Sequence, residues 1–175
     1  MIEPATTARL ALRPITTDDV DLIVALDADP EVMRFINGGR STPPDEAARI
    51  VQRSRGHRWM AFERDGDTFV GWFGLRPAGA HERELGYRLR RAFWGRGLAT
   101  EGSLALIDLA FTRFAARRVW AQTMTVNTAS RAVMERCGMR YVRMFHLEWP
   151  EPIEGTEHGD VEYELTRSEW ERRRQ

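Results

Sequence analysis

The feature that most constrains this chain is a glycine-rich junction between a predicted strand and a long predicted helix. Residues 90–101 read Arg-Arg-Ala-Phe-Trp-Gly-Arg-Gly-Leu-Ala-Thr-Glu, and the helical pattern starts at about Leu98. Gly95, Gly97 and Ala99 leave the main chain open to close approach, and the first N–H groups of a helix lack partners within the helix. Such amides suit a phosphate or diphosphate without a metal. The junction predicts a phosphate-bearing cofactor, although an ordinary strand-to-helix turn would use the same glycines.

Two common phosphate-binding motifs do not match this junction. A P-loop ends in Gly-Lys followed by Ser or Thr, and this chain contains no lysine. The dinucleotide fingerprint needs a third glycine or alanine where Thr100 stands, and it follows a strand at the start of the chain. An unrelated nucleotide-binding module stays open as an alternative.

The composition is that of a globular protein with one domain. A chain of 175 residues with 42% hydrophobic content can bury a sizeable core, so a single domain over residues 1–175 is expected. The formal net charge of zero disfavours a nucleic-acid partner. No apolar run approaches the ~20 residues of a membrane span, so no membrane partner is expected. Cys137 is the single cysteine and no leader pattern is present, which favours a cytoplasmic protein.

Strands are predicted where short apolar or alternating runs lie between turn residues. They are expected at residues 9–15, 59–63, 69–75, 84–89, 118–124, 141–147 and 161–165. Asp65-Gly66 is the preferred dipeptide of a tight two-residue turn, so it predicts a β-hairpin. In the strand 84–89, alternation places Tyr87 on one face and Glu84 on the other.

Helices are predicted from apolar residues that recur every three or four positions. They are expected between residues 16 and 30, at 31–36, from Pro43 to Gly56, and at 98–115 and 128–136. Leu104, Ile107 and Phe111 form a stripe that is expected in the core. Ser41 or Thr42 is expected to cap the helix that begins at Pro43. Strands and helices alternate, so the fold class is α/β.

Several segments, in this order, resemble the GCN5-related N-acetyltransferases (GNAT), and within them the branch of ribosomal-protein N-terminal acetyltransferases. The segments are Leu12–Pro14, Asp29–Met33, Glu84–Tyr87, Arg91–Thr100, Asn127–Met139 and Tyr163–Trp170. The resemblance covers nearly the whole chain. It implies a single α/β (α+β) domain with a mixed, mostly antiparallel sheet of six or seven strands, splayed in the middle and flanked by about four helices.

The resemblance implies acetyl-CoA as co-substrate, with its pyrophosphate on the amides of the junction and its pantetheine arm beside the end of the strand 84–89. The expected cofactor contacts are Leu89, Arg91, Gly95, Arg96, Gly97, Leu98, Ala99, Thr100, Asn127 and Arg136. Asn127 matches the family asparagine near the pantetheine, and Arg136 stands where a basic residue often lies near the 3′-phosphate. Without a cofactor role, Asn127 would be a helix N-cap and Arg136 a solvent-exposed arginine. The four histidines show no metal-ligand spacing, so no metal is expected.

The catalytic candidates follow from the needs of amide formation. The attacking amine must lose a proton, and Glu84 is the candidate base, with Glu82 as the second choice and a solvated strand charge as the plain alternative. An α-amine loses that proton more easily than a lysine-type amine. Ser130 lies one helical turn after Asn127 and matches a serine that assists the sulfur in this branch; otherwise it makes a structural hydrogen bond.

Two other positions bear on the route of transfer. Met134 stands where the broad family often has a tyrosine that protonates the leaving thiolate. Cys137 would offer a covalent route, but it lies at a helix C-terminus with no histidine nearby in sequence, which disfavours a thiolate. Direct attack on the thioester in a ternary complex is therefore expected.

The function expected from the resemblance is transfer of the acetyl group of acetyl-CoA to a primary amine, either a protein or peptide N-terminal α-amine or a small molecule. The segment 148–160 is acidic and would favour a cationic acceptor, so an aminoglycoside or polyamine acetyltransferase is an alternative. Because the tyrosine is absent, a catalytically silent CoA-binding sensor is another alternative. Residues 31–40 and 148–160 are expected to enclose the acceptor, and they do not identify it. A homodimer is also open.

Overall fold

The computed structural model describes residues 2–174, and it contains an eight-stranded sheet with helices on both faces. The strands are β1 (Ala5–Thr6), β2 (Leu10–Pro14), β3 (Arg58–Glu63), β4 (Phe69–Pro77), β5 (Glu82–Leu89), β6 (Arg118–Met124), β7 (Arg140–Phe145) and β8 (Asp160–Thr166). Their order in the sheet is β1-β2-β3-β4-β5-β6-β8-β7. The pair β5 and β6 is parallel, and the other neighbouring strands are antiparallel.

Six α-helices accompany the sheet in the described residues. They are α1 (Val20–Asp27), α2 (Pro30–Asn37), α3 (Pro44–Ser54), α4 (Leu98–Thr112), α5 (Thr128–Arg136) and α6 (Arg167–Arg172). Short 3-10 turns lie at Thr17–Asp19, Arg91–Phe93 and Thr156–His158. The longest helix, α4, has 15 residues, and between residues 2 and 174 no helix is long and apolar enough to cross a bilayer.

The predicted sheet is confirmed as mixed, mostly antiparallel and splayed, but it has eight strands instead of six or seven. The structure has six helices, one more than the five predicted from periodicity and two more than the resemblance implied. The additional edge strand β1 is two residues long, too short for an alternating pattern, and pairs Ala5 with Leu12. The additional helix α6 starts at a capping box, in which the Thr166 hydroxyl and the Glu169 carboxylate bond each other's backbone N–H groups. That pattern was present in the sequence as Thr-x-x-Glu.

The splay lies between β5 and β6. These strands pair only where Glu82–Glu84 face Arg118–Trp120. Beyond that point β5 continues along β4 as far as Leu89, whereas β6 continues along β8. The two strands therefore enclose a gap that widens toward the C-terminal ends of both.

Two local predictions are wrong. The hairpin between β3 and β4 exists, but its connection spans residues 64–68, and the Gly66 N–H donates to Glu63 O at 3.3 Å instead of lying in a two-residue turn. The N-cap of α3 is Pro43, without a side-chain cap from the described residues. Thr42 does not cap because its buried hydroxyl donates to the Asp27 carboxylate at 2.7 Å.

The core stripe of α4 also differs from its prediction. Ile107 and Phe111 are buried as expected, but Leu104 is 43% exposed. The helix is apolar on most of its circumference, so periodicity does not identify the buried face. Gly102 and Ser103 face the sheet instead, because the small residues let α4 approach the Phe73 ring closely.

Gly102→Ala is expected to destabilise the fold by up to about 2 kcal/mol. The added methyl would overlap the Phe73 ring, and overpacking of this kind costs about 1–3 kcal/mol, of which a gain of up to about 1 kcal/mol in helix propensity offsets part. Urea unfolding measures the change. Gly66→Ala, which meets open space, is the matched control. Equal or greater stability of the Gly102 variant would show that α4 does not pack as described.

Candidate functional site

The junction between β5 and α4 presents a row of backbone amides. Gly95 has a φ of 70° and Gly97 a φ of 76°, a conformation that glycine adopts without strain. Helical bonding starts at the Glu101 N–H, which donates to Gly97 O at 3.0 Å. Within residues 2–174, the N–H groups of Arg96–Thr100 donate to no protein acceptor. These five amides, here called the anion cradle, are therefore available for a ligand.

Arg9, the residue immediately before β2, contacts both ends of this run of amides. Arg9 Nη1 donates to Arg96 O at 2.8 Å, and Arg9 Nε donates to Glu101 Oε2 at 2.6 Å. Burial raises the pKa of Glu101, but hydrogen bonds from Thr7 and Arg9 outweigh burial and lower that pKa below its usual value. The Glu101 charge is thus balanced by Arg9, which reduces its repulsion of an anion on the neighbouring amides.

The C-terminal end of β5 leads from the gap to the cradle. The Arg90 N–H donates to Val70 O at 2.9 Å, so the backbone N–H of Arg90 points to β4. Backbone N–H and C=O groups of successive residues point to opposite sides of a strand, so the N–H and C=O of Leu89 point to the gap. The Leu89 carbonyl accepts the Trp94 indole N–H at 2.9 Å, and this leaves the Leu89 N–H directed at the gap. The Arg91 guanidinium turns toward α2, where its Nε lies 3.4 Å from Asp29 Oδ2.

The N-terminus of α5 faces β5 at the same gap. Asn127 caps the helix by accepting the Ser130 N–H at 3.2 Å. The Tyr87 hydroxyl lies 2.9 Å from Ser130 Oγ and 3.0 Å from Ser130 O. Burial raises the pKa of Tyr87 well above its usual value. Tyr87 was missed as a functional residue because alternation alone placed it in the core, although it belongs to the segment 84–87 that resembles the family.

The two acidic candidates lie away from this hydroxyl pair. Glu84 is the last residue of β5 that pairs with β6, and Arg76 of β4 forms an ion pair with it. Its side chain points to the face of the sheet that packs against α1 and α3, here called the α1–α3 face, whereas Tyr87 points to the opposite face. Glu84 and Tyr87 are three residues, or about 10 Å, apart along β5. Glu82 accepts from Arg118 Nη1 at 2.9 Å. The structure thus separates the candidate base from Ser130 and places them on opposite faces of β5.

The C-terminal end of α5 lies beside the first turn of α4. Cys137 Sγ is 3.8 Å from Thr100 O, and the preceding Arg136 is exposed. Burial raises the pKa of Cys137 to about 12, so the thiol is neutral at physiological pH. Met134 is 2% exposed and packs in the core. Neither residue offers acid–base chemistry to the gap.

The segments expected to enclose the acceptor meet over the α1–α3 side. Arg34 Nη2 lies 3.7 Å from Glu154 Oε2, and Arg40 forms an ion pair with Glu151. A groove opens between the end of α2 and the segment after β7. It is lined by Ile36, Asn37, Arg40, Trp149, Pro150 and Glu151. Two acidic side chains of the segment 148–160 are therefore neutralised by arginines.

Comparisons with known proteins agree with this geometry. The profile of the family described as "Acetyltransferase (GNAT) domain" matches residues 9–140. A relative named FsC-acetyl coenzyme A-N(2)-transacetylase, from Aspergillus fumigatus, is 36% identical over 181 residues, covering 94% of this chain and 76% of the relative.

Solved structures show the same fold at lower identity. A GNAT-family acetyltransferase from Bacillus anthracis superposes with a TM-score of 0.82 at 21% identity, covering 94% of this chain and 99% of that chain. The ribosomal L7/L12 alpha-N-protein acetyltransferase RimL, in complex with coenzyme A, superposes with a TM-score of 0.79 at 20% identity, covering 97% and 99%.

The buried thiol of Cys137 is expected to react slowly. A rise in pKa from 9.0 to about 12 lowers the thiolate fraction at pH 8 roughly 1000-fold, at tenfold per pH unit. Reaction with an aromatic disulfide reagent at pH 8 should be at least 100-fold slower in the folded protein than in denaturant. Comparable rates would show that the thiol is accessible and ionised, which would reopen a covalent route.

Proposed function

The chain belongs to the GNAT acetyltransferase family and is an acetyl-CoA-dependent acyltransferase, and we propose that it acetylates a primary amine by direct attack in a ternary complex. The observation that carries this proposal is the run of amides at Arg96–Thr100, which donate to no acceptor among residues 2–174 and which follow β5, the strand that borders the gap. A diphosphate and an extended thioester arm need these two features side by side.

We assign the cofactor contacts to backbone groups first. The amides of Gly95–Thr100 would hold the diphosphate, and the Leu89 N–H would pair with the pantetheine arm, together with the main chain of Arg91. Asn127 lies at the same gap, and the exposed Arg136 is suited to the 3′-phosphate. When bound, acetyl-CoA supplies an activated acetyl carbonyl and a thiol leaving group.

We assign the leaving-group side to Ser130. A thiol with a pKa near 8.5 needs little help to leave, so a hydroxyl donor suffices. The Tyr87 hydroxyl has one proton, with two acceptors in reach, Ser130 Oγ at 2.9 Å and Ser130 O at 3.0 Å. When this proton goes to Oγ, the Ser130 proton is free to turn toward the sulfur. Because burial raises the pKa of Tyr87, it stays protonated and acts as a positioning residue rather than as the acid.

We assign the amine side to Glu84, acting through water. Its carboxylate, held by Arg76, lies on the α1–α3 face, where residues 31–40 and 148–160 meet. Distance excludes direct contact with a group beside Tyr87, so one or more waters would carry the proton from the ammonium. Glu82 is the second candidate, but Arg118 engages it.

The acceptor is either a small-molecule amine or a peptide α-amine. The A. fumigatus relative, named for transfer to an N(2) nitrogen, supports the first at 36% identity. The RimL protein, named for an alpha-N-protein acceptor, supports the second, but its 20% identity is weaker evidence. An aminoglycoside or polyamine is disfavoured, since Arg40 and Arg34 pair with Glu151 and Glu154.

Acetyl-CoA binding tests the cradle. Gly95→Ala places a methyl in open space above the amides, so the Kd of acetyl-CoA should rise at least tenfold by calorimetry, about 1.4 kcal/mol. Gly56→Ala is the matched control, because Gly56 also has a positive φ of 87° and open surroundings. Its Kd should match that of the wild type. An unchanged Kd in both variants would remove the cradle from the binding site.

Tyr87→Phe tests the hydroxyl pair. Loss of the phenol should lower kcat about tenfold or more with little change in the KM of acetyl-CoA, since only the leaving step needs Ser130 oriented. The measurement is thiol release in the presence of an acceptor amine. In a Ser130→Ala background the same change should have little further effect. Additive losses would contradict a shared role.

A screen of amines separates the remaining alternatives. Thiol release that requires an amine supports direct transfer, and the absence of lysine leaves the protein only its α-amine as an acceptor of its own. Acetyl-CoA binding without turnover of any amine would support a silent sensor. Binding of NAD or ATP in place of acetyl-CoA would contradict the proposal.

A further inference from the structure

A cationic cluster lies on the α1–α3 face of the sheet, beside the gap. Trp72 of β4 stands opposite Arg88 of β5, and one row along, Arg58 of β3 stands opposite Gly74. A Cβ on Gly74 would lie 3.6 Å from Trp72 Cζ3, so the indole lies flat along the sheet over this glycine. The Arg58 guanidinium stacks on the indole, 3.9 Å from the ring centroid. Arg58 is thus held rigidly against Trp72.

Arg58 is half-buried and lacks a charged partner. In the described part of the chain, no carboxylate lies within 4.0 Å of its guanidinium, and its buried Nε donates to no acceptor. The nearby Asp27 is already engaged, because it accepts from Arg88 Nη1 at 2.6 Å and from Thr42 at 2.7 Å. Burial, followed by the charge of Arg88, lowers the pKa of Arg58 to about 10, so it remains cationic at pH 7. Buried unpaired charges are rare because they are costly.

Three buried donors of this cluster have no acceptor among residues 2–174. They are Arg58 Nε, Arg88 Nε and Trp72 Nε1, and Trp72 is 9% exposed. Two guanidinium groups and the Asp27 carboxylate leave one net positive charge. The next row holds Arg76 and Glu84, which neutralise each other. The cluster therefore lacks one negative charge and an acceptor, which a carboxylate would supply, whereas a dianionic phosphate would overcompensate the charge.

We propose that Arg58, Trp72 and Arg88 bind a carboxylate of the acceptor, and that the acceptor is an amine of the amino-acid class. The inference rests on the proposed function. On β5 the side chain of Arg88 points to this face, whereas the preceding Tyr87 reaches Ser130 on the other. Since α5 lies on the Tyr87 side, an acceptor approaches from the side of the cluster.

Matched acceptors test the proposal. L-amino acids and their carboxamides are compared by thiol release at fixed ionic strength, and each carboxylate form should exceed its carboxamide at least tenfold in kcat/KM. Arg58→Gln should reduce that ratio at least tenfold. Comparing ratios between variants cancels the different amine pKa values of the two forms. Arg55→Gln removes the same charge from an exposed neighbouring position and should keep the wild-type ratio.

Two further measurements distinguish a carboxylate-binding role of Arg58 from a structural role. Calorimetry with the same compounds, at saturating coenzyme A, should show carboxylate binding to the wild type and at least tenfold weaker binding to Arg58→Gln. The melting temperature of Arg58→Gln should change little, because the lost stacking on Trp72 is offset by removal of a half-buried cation without a carboxylate partner. A lower melting temperature with an unchanged ratio would assign Arg58 a structural role and overturn the proposal.

Two binding results would overturn the carboxylate site. One is binding of inorganic phosphate in preference to the carboxylates. The other is binding of neither class, which would mean that water, and no anionic ligand, solvates the cluster. Turnover of amines without any preference for carboxylates overturns this inference alone. Failure of acetyl-CoA to bind or of every amine to be acetylated counts against the proposed function instead.

Discussion

The separation of β5 from β6 after three paired residues is the constraint on which the rest of the structure depends. Main-chain groups in the middle of a sheet normally pair with a neighbouring strand, and those of β5 beyond Glu84 lose theirs on one side. The fold leaves this edge available in the centre of the molecule. A ligand that supplies amide groups can replace the missing strand, and the unpartnered amides at Arg96–Thr100 lie where such a ligand would emerge.

A network of ion pairs holds the closed end of the gap. Arg118 of β6 donates to Glu82 of β5 at 2.9 Å and to Glu164 of β8 at 2.6 Å, and it also pairs with Glu162. Burial lowers the pKa of Arg118, but hydrogen bonds to these carboxylates outweigh it and raise that pKa. Three strands are thus joined at the point where β5 and β6 diverge. The guanidinium suits this role because its planar donors serve several carboxylates at once.

The proposed chemistry is divided between the two faces of β5. Tyr87 and Ser130 lie on the side of α5, and Glu84, Arg88 and the segments proposed to enclose the acceptor lie on the other. Direct transfer needs a donor thioester between a group that assists the thiol and a group that receives the amine proton. Strand alternation provides such an arrangement, since adjacent residues of β5 point to opposite faces.

The sequence by itself determined the features that depend on neighbouring residues. The bounds of α5, the Asn127 cap and the positive φ of Gly95 and Gly97 follow from local backbone chemistry, and the ordered motifs identified the family and its splayed sheet. The exposed Leu104 shows where this reasoning ends, because an apolar helix does not reveal which face meets the sheet.

Only the tertiary structure decided which distant residues meet. The bond of Thr42 to Asp27, the pairing of Tyr87 with Ser130 and the isolated charge of Arg58 join residues on separate elements. Strand order and register set these contacts, and long-range pairing of this kind leaves no periodic signal in any one segment. Local propensities specify the elements, whereas burial and charge balance between elements specify the site.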